Sequence, residues 1–366
     1  MTADDAGGAR PRTGSTESIS TSPAMDPEPM RLALRRLGLL QDGEEALLTP
    51  LAGGIASDIW KVDLPRRTVC IKRALPKLKV KADWFVPIER NLYEWLYYEI
   101  AETAAPGSAP GLVARDTEGY LFVMEYLPPD DYPLWKNQLR DGLADAAFAA
   151  RVGERLAAIH SYTAAQRHIA DRFPTDHIFY ASRMESYLEA TARAHPDIKP
   201  VFCSLIETTM HTKHALVHGD VSPKNILNGP KGPVLLDAEC AFYGDPAFDL
   251  AFCLNHLLLK CLWAPAARDG FLKCFAALKD RYLALVDWEA PGDMEARTAR
   301  LLPGLFLARV DGKSPVEYIT RDGERELVRK TARALLLRPV TRLAQVSAAW
   351  RETLATETPE EHAPRT

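Results

Sequence analysis

Within Leu216-Val-His-Gly-Asp-Val-Ser-Pro-Lys-Asn-Ile-Leu227 an aspartate, Asp220, stands five residues before an asparagine, Asn225. A second aspartate, Asp237, ends the apolar run Pro233-Val-Leu-Leu, and Glu239 follows two positions on. Oxygen-bearing side chains in this pattern suit two tasks together, accepting a proton from a hydroxyl and holding a hard cation. Magnesium takes oxygen ligands, keeps several waters and is bound by a few protein groups together with substrate phosphates. Phosphoryl transfer asks little more of a protein than in-line positioning, neutralisation of charge on the moving group, and a base beside the attacking oxygen. An Asx-rich turn before a core strand would account for one of these acids but not for the set.

The elements around them follow from the hydrophobic pattern. Residues 47–74 read as strands: the turn residues Gly53-Gly54, a stretch with Ile59, Trp60 and Val62, a turn at Pro65-Arg66-Arg67, then Val69 and Ile71 alternating with Cys70 and Lys72. Residues 87–102 become helical, with Leu92, Tyr93, Leu96 and Ile100 at three- and four-residue spacing. The strand Tyr120-Leu-Phe-Val-Met-Glu-Tyr-Leu127 stops at Pro128-Pro129, where the missing backbone donors end a ladder. Beyond it the chain is mostly helical, including a segment with Phe148, Val152, Leu156 and Ile159 on one face. Strands return only near Leu216-Val217 and Val234-Leu235-Leu236. This order predicts an α+β, two-lobed protein: an N-lobe over residues 30–126, with a small antiparallel sheet and one helix, and a larger, mainly helical C-lobe over 127–350. Residues 1–29 hold almost no large apolar side chain to offset their ordering entropy, and the charged C-terminal stretch with Pro359 and Pro364 reads the same way, so residues 1–29 and 351–366 are expected to be disordered tails.

His218-Gly219-Asp220 with Asn225, followed by Asp237-x-Glu239 and Gly244-Asp245-Pro246-x-x-Asp249, resembles the aminoglycoside phosphotransferase and choline kinase superfamily, which has the protein-kinase-like fold. The resemblance implies Asp220 as catalytic base, Asn225 and Asp237 as magnesium ligands with Glu239 assisting, and ATP as phosphoryl donor. It implies that Lys72, at the end of a strand, grips the nucleotide phosphates and is held by a glutamate of the next helix. Glu89 is the preferred partner and Glu94 the other candidate. Gly53, Gly54 and Ser57 form a turn whose backbone could cover the phosphates, although it lacks the GxGxxG spacing. The adenine is expected against the backbone of residues 125–127, from Glu125 to Leu127. Asp249, at a helix start, reads as a cap or loop anchor, and His218 and His160 read as structural histidines.

Between Asp237 and Gly244 only six residues intervene, too few for a segment that docks a peptide, so the acceptor is expected to be a small molecule. Ile71-Lys72-Arg73-Ala74-Leu75-Pro76-Lys77 and Asp237-Ala-Glu-Cys-Ala-Phe-Tyr-Gly244 are similar to the methylthioribose kinases, as more loosely is Leu307-Ala-Arg309-Val-Asp-Gly312. That likeness implies a sugar-like acceptor and makes Arg309 a substrate-site candidate. Asn225 departs from the methylthioribose kinase pattern and agrees with the aminoglycoside and choline branches. An aminoglycoside or amino-alcohol kinase therefore stands as an alternative, and a nucleotide-binding scaffold without activity as a reading of another class.

Composition agrees with a small partner. The 366 residues are 47% hydrophobic and 26% charged, as in an ordinary globular protein, and a net charge of −4 provides no positive field for nucleic acid or anionic membranes. The six cysteines form no CxxC pair, so neither a zinc site nor a disulfide framework is signalled. No leader pattern or membrane-length apolar run is read, and a cytoplasmic address is expected. Residues 255–350 hold 16 Lys and Arg against 11 Asp and Glu, a balance that disfavours a polycationic acceptor.

Overall fold

The computed structural model describes residues 26–51, 57–77 and 87–356. After helix α1 (Glu28–Arg36) come strands β1 (Leu47–Pro50), β2 (Ser57–Asp63) and β3 (Thr68–Ala74), helix α2 (Arg90–Ala104), and strands β4 (Leu112–Asp116) and β5 (Leu121–Glu125). The five strands form one antiparallel sheet in the order β1-β2-β3-β5-β4. Alternation along β3 decides what each face does, because successive side chains point to opposite sides of a sheet. Val69 and Ile71 join Trp60, Val62, Leu121 and Val123 under Met30, Ala33 and Leu34 of α1. Cys70 and Lys72 point the other way, toward α2 and the cleft. In register, Cys70 pairs with Met124 and Lys72 with Phe122.

The second lobe begins with α3 (Trp135–Arg140) and α4 (Ala146–Thr163), then the short helices α5 (Arg167–Ala170) and α6 (Asp176–Phe179). α6 runs without a break into a π-helical segment, Tyr180–Glu189, and on into α7 (Ala190–Ala194). α8 (Lys199–His211) leads to β6 (Ala215–Val217), β7 (Ile226–Gly229), β8 (Gly232–Leu235) and β9 (Phe242–Gly244), which form two small antiparallel ribbons, β6-β9 and β7-β8. The helices α9 (Ala247–Trp263), α10 (Arg268–Leu283), α11 (Pro291–Asp311), α12 (Asp322–Leu337) and α13 (Leu343–Ala355) complete the lobe. Every residue from Ala247 to Leu262 is buried, so α9 is the central helix, apolar nearly all round as a fully enclosed helix must be. α4 and α10 approach so closely that a Cβ on Gly153 would lie 2.4 Å from the Leu278 carbonyl oxygen.

The fold is thus α+β and two-lobed. α1 and β4 are additions to the pattern read from sequence, joined by an ion pair between Arg36 and Asp116. Two tail boundaries need correction. α1 takes in Glu28, and α13 continues through Arg351–Ala355 because Thr353 and Leu354 are buried against the lobe. Residues 1–25 and 357–366 lie outside the described residues. All six cysteines are free, five of them buried. Among the described residues no helix is long and apolar enough to cross a membrane.

Candidate active site

The β6–β7 connection presents Asp220. It can do so because Gly219 adopts φ +80°, and because a Cβ there would lie 2.7 Å from the Cys240 carbonyl oxygen, so only glycine fits. Asp249, in the first turn of α9, accepts hydrogen bonds from the backbone N–H groups of His218 (2.7 Å) and Gly219 (2.9 Å), with His160 Nε2 at 3.3 Å. His218 Nδ1 accepts from the Asp220 N–H (3.1 Å), which leaves Nε2 to donate to the Leu236 carbonyl (3.1 Å). Burial pushes His218 below its usual range, consistent with the neutral ring these bonds require. Both histidines and Asp249 therefore fix the loop and stand away from the cleft lining.

Asp220 is 4% exposed. Its Oδ2 is held by Arg183 Nη2 (3.0 Å) and Lys224 Nζ (3.1 Å), whereas its buried Oδ1 has no hydrogen-bond partner. Burial alone would raise the carboxyl, but Arg183 and then Lys224 outweigh it and hold it below the usual carboxylate range. Arg183 comes from the π-helical segment and also donates to the Gly219 carbonyl. A buried carboxylate oxygen left without a donor is costly, and a hydroxyl delivered there would satisfy it.

Lys72 Nζ bonds Glu94 Oε1 (2.7 Å) and Asp237 Oδ1 (2.5 Å). The Tyr98 hydroxyl donates to the same Glu94 oxygen (2.8 Å) and accepts from the Asp237 N–H (2.8 Å), closing a ring of four residues. Asp237 sits at φ +66°, a left-handed conformation that costs a non-glycine residue about 1 kcal/mol or more. The ring holds it there. Burial pushes Glu94 up to about 7 against the pull of Lys72. Asp237, despite its burial, is held far below the usual range by Lys72 and Lys224.

This geometry corrects the preferred partner of Lys72. Glu89 is the N-cap residue of α2 and is exposed, whereas Glu94 lies on the buried stripe with Arg90, Asn91, Tyr97 and Tyr98, at helical spacing. Glu239 Oε2 is paired with Arg90 Nε (2.9 Å), and Arg90 also donates to the carbonyls of Leu75 and Pro87 (both 2.8 Å). Asn225 donates from Nδ2 to the Asp220 carbonyl (3.1 Å). Asn225, Asp237 and Glu239 offer hard oxygen donors from one loop and one strand end. Among the described residues no three His, Cys, Asp or Glu side chains form a metal cage. Two carboxylates and an amide suit magnesium, which completes its shell with water and phosphate oxygens.

A cavity of about 1080 Å³ joins these groups. Ser57, Lys72, Glu125, Leu127, Asp220, Asn225, Asp237 and Glu239 all line it, as do Arg183 and Lys224. Gly53 and Gly54 lie outside the described residues. Arg309 is a second correction. It does not line the cavity but stands behind the wall, donating to the Tyr187 hydroxyl (2.9 Å) and the Ser314 carbonyl, both of residues that do line it. Arg90 and Arg183 left no readable mark in the sequence. Lys224 did, as a basic residue beside Asn225 within the motif.

The family model described as "Phosphotransferase enzyme family" (APH) matches residues 47–289, more than half of the chain. The protein belongs to that family. The match takes in the sheet, the Asp220 loop and α9, and ends before α11, so Arg309 and the 313–314 wall lie beyond it. Among curated relatives, methylthioribose kinase from Bacillus cereus (strain B4264) is 24% identical over 253 residues, covering 62% of this chain and 63% of the relative. Methylthioribose kinase from Escherichia coli O45:K1 (strain S88 / ExPEC) is 24% identical over 256 residues, covering 61% and 59%. The chain thus spans less than two thirds of the length of these relatives. Among solved structures, choline kinase from Cryptosporidium parvum Iowa II superposes with a TM-score of 0.50 at 11% identity, covering 90% of this chain and 95% of the other. That likeness concerns the kinase-like fold of this phosphotransferase family member and nothing beyond it.

Proposed function

We propose that this protein transfers the γ-phosphoryl group of ATP to a hydroxyl of a small polar metabolite, a sugar-like compound in keeping with the methylthioribose kinases among its relatives. The observation that carries this reading is the partnerless Oδ1 of Asp220, beside a cleft that Asn225, Asp237 and Lys72 also line and that has room for a nucleotide and an acceptor together. Asp220 orients the acceptor hydroxyl and takes its proton on Oδ1. The freed oxygen forms a bond to the γ-phosphorus as the bond to the β–γ bridging oxygen breaks, and ADP leaves with that oxygen's charge. Lys72, held by Glu94, contacts the nucleotide phosphates, and the Leu127 N–H, with no hydrogen bond among the described residues, faces the adenine. Asn225 and Asp237, assisted by Glu239, would hold Mg²⁺, which supplies neutralisation of the phosphate charge.

The alternative acceptors, aminoglycosides and amino alcohols, are cationic. They would meet Lys224, Lys136 and Lys313 on the acceptor wall, which argues against them. A non-catalytic scaffold has no use for a buried carboxylate with one oxygen left unpaired. The test is an ADP-release screen of the purified protein with Mg·ATP against sugars including methylthioribose, amino alcohols including choline, and aminoglycosides, with product mass recorded. A mass gain of one phosphoryl group on a hydroxylated acceptor supports the reading. Tight ATP binding with no turnover on any acceptor favours the scaffold.

A further inference from the structure

The acceptor side of the cleft carries two hydroxyl groups whose hydrogens are unclaimed. Residues Tyr180–Glu189 are wound as a π-helix, a form that is rare and frequently found at functional sites. The segment lines the cleft through Ser182, Arg183, Ser186 and Tyr187. The chain leaving α11 closes on it, the Lys313 N–H donating to the Ser186 carbonyl (3.0 Å), and adds Ser314 to the same wall.

Arg309 decides how the hydroxyls of Tyr187 and Ser314 can bond. Its Nη1 donates to the Tyr187 hydroxyl oxygen (2.9 Å), to the Ser314 carbonyl and, at 3.4 Å, to Ser314 Oγ. One nitrogen thus brings the tyrosine hydroxyl beside Ser314 at the cleft wall. Each hydroxyl oxygen accepts from the guanidinium, and neither O–H donates to any described residue. A hydroxyl carries one donor as well as its lone pairs, so each has a hydrogen still to place. Tyr187 is 6% exposed, and a buried donor without a partner is costly.

The same segment ties this pair to the base. Arg183, four residues before Tyr187, holds Asp220 Oδ2 (3.0 Å), and its Cζ stands 5.7 Å from the Tyr187 ring centroid. The open Asp220 Oδ1 can take a proton from a ligand, and the Tyr187 and Ser314 hydroxyls can give hydrogen bonds to one.

We propose that Tyr187 and Ser314 determine acceptor specificity by donating their O–H groups to a second oxygen of the acceptor, while its reacting hydroxyl lies on Asp220 Oδ1. The inference rests on the kinase reading for the reacting hydroxyl, whereas the second contact is a claim about binding. It selects sugars and other polyols. It selects against amino alcohols, whose second polar group is a cation with no lone pair to offer and would face Arg309.

Calorimetric titration tests this without turnover. The full-length protein, saturated with Mg²⁺ and a non-hydrolysable ATP analogue, is titrated with methylthioribose, D-ribose and choline. At least one of the two sugars should bind about tenfold or more tightly than choline. Tyr187→Phe keeps the ring and removes only the O–H, and Ser314→Ala leaves the backbone carbonyl to Arg309. Each should weaken that sugar about tenfold, the scale of a hydrogen bond whose loss leaves a polar group unpaired, with affinity for the ATP analogue unchanged. Choline bound as tightly as the sugars, no binding of either sugar, or wild-type sugar affinity in either variant overturns the assignment. A parallel loss of affinity for the ATP analogue, the mark of a merely structural role, overturns it as well. Sugar binding that depends on Tyr187 and Ser314 without phosphoryl transfer to any hydroxyl would instead overturn the kinase reading, so the two failures are distinguishable.

Discussion

The two walls of the cleft satisfy their charges in different ways. On the side built by β3, α2 and the end of β8, each charge is answered within the wall: Lys72 by Glu94 and Asp237, Glu239 by Arg90, and the strained Asp237 backbone by Tyr98. On the side lined by α3, the π-helical segment and the Asp220 loop, Asp220 has one oxygen held by Arg183 and Lys224 and one open. A wall closed on itself is preorganised for a ligand common to all turnovers. A wall left open is completed by the ligand that varies. In the reading proposed here the first receives Mg·ATP and the second the acceptor.

That contrast can be broken experimentally. Asp237→Asn removes a carboxylate from the closed wall and should lower kcat by roughly 10²–10³-fold with every acceptor, the scale of losing one preorganised electrostatic contact. A loss confined to one acceptor in steady-state assays would place Asp237 on the wrong wall. Glu94→Gln weakens the hold on Lys72 and should cost roughly tenfold in kcat/KM for ATP, the scale of a charged hydrogen bond. Glu89→Gln should change nothing measurable, and the reverse order of the two variants would refute the Lys72–Glu94 assignment.

A subtler effect concerns pH. Arg183 and Lys224 hold Asp220 below the usual carboxylate range, so in the wild type the base stays ionised through neutral and mildly acidic pH. Arg183→Met leaves burial less opposed, and the carboxyl rises. Activity of the variant relative to wild type should therefore fall as pH is lowered from 8 to 5. A pH-independent ratio would mean that Arg183 serves only to pack the π-helical segment.

The same two walls differ in how much of them is legible in the sequence. Lys72, Asp220, Asn225 and Asp237 stand in short motif stretches. Their common placement on one cleft is legible through the resemblance to the aminoglycoside phosphotransferase and choline kinase superfamily, since local alternation alone cannot join residues so far apart in the chain. Glu94 escapes that logic. The apolar spacing of Leu92, Tyr93, Leu96 and Ile100 suggests one face for α2, and of these Ile100 is buried, but the buried stripe otherwise runs through Arg90, Asn91, Glu94, Tyr97, Tyr98 and Ala101. A polar stripe is buried there because Lys72 and Glu239 answer it, and those partners are far away in the chain. The open wall is harder still. Arg183, Lys136 and Arg309 come from three separate helices whose sequences read as ordinary amphipathic or buried segments, and only tertiary packing brings them to one place. Arg309 shows the limit from the other side: the right region was indicated, yet its guanidinium supports the wall instead of lining it.

The most direct test is Asp220→Asn, assayed by single-turnover transfer from [γ-³²P]ATP to whichever acceptor the screen identifies, with ATP binding measured on the same preparations. The expected result is ATP affinity within about twofold of wild type and phosphoryl transfer lower by roughly 10³-fold, within the range for loss of a positioned general base. An Asp220→Asn protein that transfers phosphate at the wild-type rate would contradict the account at its centre.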